Sequence, residues 1–348
     1  MSAPTALAGN VFAGSFSLGV KQAGFRVLGQ LEHNDYGIGT AKLNFPRLEI
    51  RYPEENWSPE DYAGKVDLFF TNPPCAPWSQ WGSGKADSWK TDDRTSCVTT
   101  LVGAAMIVQP KTFIWESVCG AWTKGREFVD AQARKFFDHG YHVTILLQNN
   151  MYLGAPQNRK RFIFFAHKHP LLFPKYTEPM TLRDAIGKVK SPKDQLEEAE
   201  LGEWESRIWG LADRTRGSLR GAYLNQLPGR FKKKRGRGQT IPSFMATRLE
   251  WDKTPGIITY HRCHPDESRH LTMNEKLALH GLPLTWKYTS ANVTATEITR
   301  AVLTPVGRWL AQGVKRGLKK PALKGAPQYT LLDYRKPTKE VKLVLERP

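Results

Sequence analysis

The first 170 residues alternate between short apolar runs and longer amphipathic ones, and this alternation limits the possible fold more than any other property of the chain. Residues 25–31, 66–70, 112–115, 141–147 and 161–166 read as strands, with the last two expected to pair antiparallel. Residues 10–14 are a further short apolar run ending in small residues. Residues 16–23, 36–43, 98–108 and 125–139 read as helices, stopped by Pro46, Pro110 and Gly140. Apolar strands separated by helices predict an α/β fold, a doubly wound and mainly parallel sheet with ligands at the strands' carboxyl ends.

The pattern weakens after residue 170. Four segments are expected: a catalytic and cofactor-binding α/β domain over 1–170, a second, smaller basic domain over 171–248, a return segment over 249–318 and a basic tail over 319–348. In the return segment Thr272 and Glu275 have capping-box spacing, and residues 297–315 read as one helix. The chain of 348 residues is 40% hydrophobic and carries a net charge of +18. Between Ser206 and Arg248 eleven Lys or Arg face one acid, Asp213, a net +10 in one stretch. Such clustering favours a polyanionic partner, contacted through phosphates.

Other classes are disfavoured. No apolar stretch is long enough to span a membrane, and residues 1–9 lack the basic start of a secretion signal. Cys75, Cys97, Cys119 and Cys263 are too scattered for a disulfide framework, and no C-x-x-C pair suggests a metal site, so none is expected. A reducing cytoplasm, in a bacterial or phage-infected cell, is the expected location. The protein is expected to work as a monomer.

Three strand ends carry chemistry. Thr71-Asn72-Pro73-Pro74-Cys75 puts a thiol on a stiff turn, Glu116 ends the next run, and Gln157-Asn158-Arg159-Lys160-Arg161 opens another. Carbon 5 of cytosine is a poor nucleophile until a thiolate adds at C6. A carboxyl near N3 and a cation near O2 then stabilise the charge that develops on the ring. Cys75, Glu116 and Arg161, with Arg159 beside them, are a matching set.

These motifs resemble those of the cytosine-C5 DNA methyltransferases, with matches from Asn10 to about Val314 that are missing mainly across the basic block. Val11-Phe12-Ala13-Gly14 and Glu32-His33-Asn34-Asp35 resemble the first two motifs, Pro73-Pro74-Cys75 the nucleophile loop, and Glu116-Ser117-Val118 the family's Glu-Asn-Val. Residues 154–161 copy Gln-x-Arg-x-Arg, and Arg269-His270-Leu271-Thr272 with His280-Gly281-Leu282-Pro283 resemble the late motifs. The resemblance implies a Rossmann-like methyltransferase domain and S-adenosyl-L-methionine as donor. It implies Phe12, Ala13, Gly14, Ser15, Phe16, Glu32, His33, Asn72, Pro74, Arg300 and Val302 around the cofactor, with Glu32 on the ribose. It places target recognition in the basic block. Double-stranded DNA with a flipped cytosine would then meet Ser79, Gln157, Arg230, Lys232, Lys233, Lys234, Arg235 and Arg237.

Departures from the family pattern leave alternatives open. Ser15 and Phe16 follow Gly14 where the family has further glycines, Ala76 replaces Gln, and Ser117 replaces Asn. Thr299-Arg300-Ala301-Val302 stands where the family has Gly-Asn-x-Val. Arg300 either contacts solvent or DNA phosphate, or pairs with a carboxylate on the donor; carboxy-S-adenosyl-L-methionine would then yield 5-carboxymethylcytosine. The same chemistry on RNA, an amino-group methyltransferase and a non-catalytic DNA-binding relative are the remaining readings. Restriction partner, host regulation and phage self-protection all fit as biological roles.

Overall fold

The structure, a computed structural model, describes residues 2–33, 35–52, 55–56, 58–79, 88–201, 247–258, 262–336 and 341–348. Strands β1 (Thr5–Gly9), β2 (Arg26–Leu31), β3 (Glu49–Arg51), β4 (Leu68–Thr71), β5 (Thr112–Ser117), β6 (His142–Asn149) and β7 (Lys160–His167) form one sheet with β10 (Tyr329–Tyr334) and β11 (Val341–Leu345). Its order is β11-β10-β6-β7-β5-β4-β1-β2-β3. Strand β7 runs antiparallel to both β5 and β6, while β3-β2-β1-β4-β5 are mutually parallel and β10 is parallel to β6. The small parallel pair β8 (Thr247–Arg248) and β9 (Arg262–Cys263) lies outside this sheet.

Helices cover both faces because the strands are buried on both. On one face α3 (Thr95–Val108) and α5 (Arg126–Asp138) pack Leu101, Val102, Val129 and Phe136 with Leu7, Phe69 and Phe113. On the other, α1 (Ser15–Gln22) and α10 (Thr304–Gly317) pack Phe16, Val20, Val306 and Leu310 with Ala6, Phe70 and Ile163. Burying apolar area on this scale drives the layering. The remaining α-helices among the described residues are α2 (Ile38–Asn44), α4 (Gly120–Thr123), α6 (Leu182–Ile186), α7 (Lys193–Glu198), α8 (Met273–Leu279) and α9 (Ala291–Arg300). The capping box expected at Thr272 and Glu275 starts α8.

Four expectations change. Residues 10–14 are not a strand; β1 precedes them and they form the loop into α1. The single helix expected over 297–315 is two, α9 and α10, broken at Ala301-Val302-Leu303, where Ala301 and Leu303 are extended. The tail expected over 319–348 contributes two strands to the main sheet, and Tyr329 is fully buried in it. The boundary at residue 170 falls inside a packed region, since Phe173 stacks on Trp309 of α10 with ring centroids 4.5 Å apart.

The α1–α10 contact fixes where the loop after β1 sits, and it depends on Gly19. A Cβ at Gly19 would lie 2.4 Å from the Thr304 carbonyl oxygen and 2.7 Å from the Arg308 nitrogen, both backbone atoms. Gly19→Ala is therefore expected to cost about 2–3 kcal/mol of stability. Gly103→Ala, on the exposed side of α3 with open space at its Cβ, is expected to gain roughly 0.5–1 kcal/mol. Denaturant midpoints of the two variants check both signs.

Candidate active site

Seven strands point the same way, so the ends of β1, β2, β4, β5 and β6 converge on one edge of the sheet. The reversal of β7 brings its first residues to that edge. After Thr71 the chain runs through Asn72-Pro73-Pro74 to Cys75 and into a tight turn, Ala76–Trp78. Trp78 is buried against Trp115, the residue before Glu116, with ring centroids 5.5 Å apart. A Cβ at Gly125 would lie 2.3 Å from the Trp78 indole nitrogen, so only glycine leaves room for the ring. The thiol-bearing turn is thus anchored to the carboxyl-bearing strand. Pro74 and Cys75 remain partly accessible.

Glu116 is the centre of the site. Its Oε1 lies 3.0 Å from Arg161 Nε, and its Oε2 accepts a 2.6 Å hydrogen bond from Asn72 Nδ2. Burial pushes the Glu116 pKa above the usual carboxylate range, while Arg161 and then Arg159 pull it back. Arg161 also donates from Nη1 to the Lys160 carbonyl at 2.8 Å. Its Nη2 has no hydrogen bond among the described residues. Arg94 and Arg159 both lie within electrostatic range of the Cys75 sulfur. Asn72, expected beside the cofactor, instead fixes the carboxyl.

Arg159 is not arranged as a reacting group. It is fully buried and donates to the Thr299 carbonyl at 2.7 Å and the Ala301 carbonyl at 3.2 Å. It therefore caps the end of α9, where unpaired carbonyls and the helix dipole favour a cation. Burial and Arg161 lower its pKa to about 9. Gln157, expected to touch DNA, is also fully buried, and its Nε2 donates to the Leu279 carbonyl at 2.8 Å. Ser79 is partly exposed beside the nucleophile turn. Arg230, Lys232, Lys233, Lys234, Arg235 and Arg237 lie outside the described residues.

The loop after β1 faces the end of β2. Asn10 and Phe12 adopt positive φ, 49° and 52°, as does Gly14 at 89°. The left-handed turn is thus made without the glycines the family uses, at a steric cost on Phe12. Asn10 Oδ1 accepts from the His33 backbone N–H at 3.1 Å and lies 2.9 Å from His33 Nδ1. Glu32 Oε1 accepts from the Val11 N–H at 2.7 Å and from Gln30 Nε2 at 2.8 Å. Ser15 does not face an open pocket, since its hydroxyl donates to the Val302 carbonyl at 2.6 Å. That bond ties the loop to the break between α9 and α10. Ala13 is packed with Phe45 and Leu277, and Phe16 is fully buried on Phe70, so both are core residues. Arg300 is exposed with its guanidinium 4.9 Å from the Tyr36 ring centre, and Tyr36 meets Phe12 edge-on.

Asn10 and Tyr36 are the site neighbours that the sequence does not single out. Asn10 had the one usable signal, because asparagine tolerates the left-handed region better than most residues.

Residues 11–316 match the sequence profile of the family described as C-5 cytosine-specific DNA methylase. The Type II methyltransferase M.PspPI of Psychrobacter sp. is 29% identical over 331 residues, 86% of this chain and 76% of that protein. The Type II methyltransferase M.XorII of Xanthomonas oryzae pv. oryzae is 28% identical over 296 residues, covering 78% of this chain and 65% of that one. Among solved structures, Entamoeba histolytica methyltransferase EhMeth superposes with a TM-score of 0.67 at 12% identity, over 92% of this chain and all of that one. Spodoptera frugiperda DNMT2 superposes with a TM-score of 0.61 at 13% identity, over 90% of this chain. These structures share the fold. With most of its length matching that profile, the chain belongs to the C-5 cytosine-specific DNA methylase family.

Proposed function

We propose that this protein methylates carbon 5 of a cytosine flipped out of duplex DNA, with S-adenosyl-L-methionine as donor. The observation that carries this reading is the buried Glu116, held by Arg161 and Asn72 beside the Cys75 turn. The Cys75 thiolate adds to C6, forming an S–C6 bond and opening the C5–C6 double bond. The raised pKa of Glu116 suits it to share a proton with N3 as negative charge moves into the ring. Arg161 holds that carboxyl and keeps Nη2 for the ring's O2. Once C5 carries the transferred methyl group, loss of the C5 proton to solvent would expel the Cys75 thiolate and restore the C5–C6 double bond.

The residues present fit the cofactor. Glu32 is buried, and its Oε2 has no hydrogen bond among the described residues, which suits a ribose diol. The strained turn at Asn10–Gly14 faces it. When bound, the cofactor supplies an electrophilic methyl group on a sulfonium. The chain's part is to hold that methyl against C5 through the loop that Ser15 fastens to Val302. The flipped base, the ribose contact and DNA binding through residues 230–237 belong to this proposal.

A second reading concerns the donor. Arg300 sits over Tyr36, which touches Phe12 of the cofactor loop. A guanidinium there is placed to pair with a carboxylated donor, carboxy-S-adenosyl-L-methionine, giving 5-carboxymethylcytosine. Arg300→Asn is expected to lower preference for the carboxylated over the ordinary donor about thirtyfold, equivalent to about 2 kcal/mol. Competition between the two donors measures it, and an unchanged ratio removes this reading.

Nucleoside mass spectrometry of treated duplex DNA tests the main proposal. The expected product is cytosine heavier by about 14 mass units, against about 58 for carboxymethyl transfer. Cys75→Ala is expected to abolish it with the fold intact by circular dichroism. Product surviving in that variant excludes the C6 adduct.

Glu32 provides a pH test. Burial pushes its pKa from 4.5 up to about 8, so between those values the folded protein keeps a proton that the unfolded chain has lost. Stability must then fall as pH rises through that window, by at most about 1.4 kcal/mol per pH unit from this group. Glu32→Gln keeps the shape without the titration. Urea unfolding of the cofactor-free protein should show a flatter pH dependence in that variant, and equal slopes refute the assignment.

A further inference from the structure

The two edges of the main sheet are finished differently. At one edge β3 is three residues long, and Arg51 pairs with Glu49 at 2.9 Å and with Asp61. Short, charged edge strands resist pairing with other chains. The other edge is β11, Val341-Lys342-Leu343-Val344-Leu345, five residues without proline, glycine or bulge. Val341, Leu343 and Val344 are 41%, 47% and 72% exposed. Among the described residues this edge thus carries three large apolar side chains in solvent, and Lys342 is the one charge within the strand.

The charges around these residues select the occupant. Two copies of β11 meeting antiparallel about Val344 place Val344 opposite Val344, Leu343 opposite Leu345 and Lys342 opposite Glu346. Residues directly opposite in an antiparallel pair point to the same face. Lys342 and Glu346 would therefore meet twice, flanking the valine pair. The leucines would form a four-membered apolar cluster on the other face, continuing the layer to which Leu331 and Leu345 already belong. Opposite charges across strands stabilise, and like charges destabilise.

We propose that β11 pairs with β11 of a second copy of this chain, joining two nine-stranded sheets across a two-fold axis perpendicular to the sheet. This replaces the monomer expected from the sequence, and it does not depend on the proposed chemistry. The two-fold reverses the partner's strands, so the two carboxyl edges face opposite ways. Each subunit then works on its own DNA, and the interface is isologous.

Sedimentation equilibrium of the full chain across micromolar concentrations tests the pairing. The wild-type chain is expected to dimerise. Lys342→Glu puts like charges opposite one another twice and is expected to weaken the dimer at least about tenfold. Adding Glu346→Lys restores opposite charges and is expected to recover wild-type affinity. These side chains are exposed, and melting curves confirm that the variants fold. A wild-type chain that stays monomeric overturns the proposal. So does a dimer insensitive to Lys342→Glu, or a double variant that fails to recover.

Discussion

The site depends on one buried ion pair, Glu116 with Arg161. Neither charge is stable alone at that depth, because removing an ion from water costs several kcal/mol unless a partner and hydrogen bonds replace the solvent. Arg161 and Asn72 supply both for the carboxylate. The pair in turn dictates a topological irregularity. Arg161 stands at the start of its strand and Glu116 at the end of its own. Only an antiparallel neighbour brings a beginning to an end. With β7 parallel to β5, Arg161 would lie at the opposite edge of the sheet, and Glu116 would be buried without a cation.

Arg159 extends this arrangement to the cofactor side. Two residues before Arg161, it crosses to the carbonyls that end α9. The next residues, Ala301-Val302-Leu303, are the break between α9 and α10, and Val302 receives the Ser15 hydroxyl. A chain of contacts thus runs from Arg159, two residues from the Glu116 partner, to the loop after β1. The helix break follows from this, since an unbroken helix would keep the carbonyls of Thr299 and Ala301 for itself. Neutral His280, its pKa lowered to about 3 by burial, adds no further positive charge beside Arg159 and Arg161.

The central strands were legible because their apolar runs are local, and the reacting residues because they adjoin those runs. Glu116 and Arg161 emerged on that basis and form an ion pair, and Cys75 stands on the turn that Trp78 anchors to the Glu116 strand. For Arg159 and Gln157 sequence gives proximity along the chain but not the direction of a side chain; both donate inward, to the end of α9 and to Leu279. The strand at Tyr329–Tyr334 was missed for a different reason. Its pattern is weak and its pairing partner, β6, lies almost two hundred residues earlier, so only the assembled sheet makes it a strand. The family resemblance implies Phe16 as a cofactor contact, while helix geometry sends its side chain into the core against Phe70.

Two buried carboxyls at the same edge show how environment divides their roles. Both are pushed up by desolvation. Glu32 is offset only by neutral donors, the Val11 amide and the Gln30 side chain, and so reaches about 8. A carboxyl that keeps its proton near neutrality can both donate and accept, which suits a pair of hydroxyls. Glu116 is offset by two guanidinium groups, Arg161 and Arg159, which favour its charged form. A common fold edge therefore holds two acids in different electrostatic states, with the difference set by whether amides or cations surround each acid.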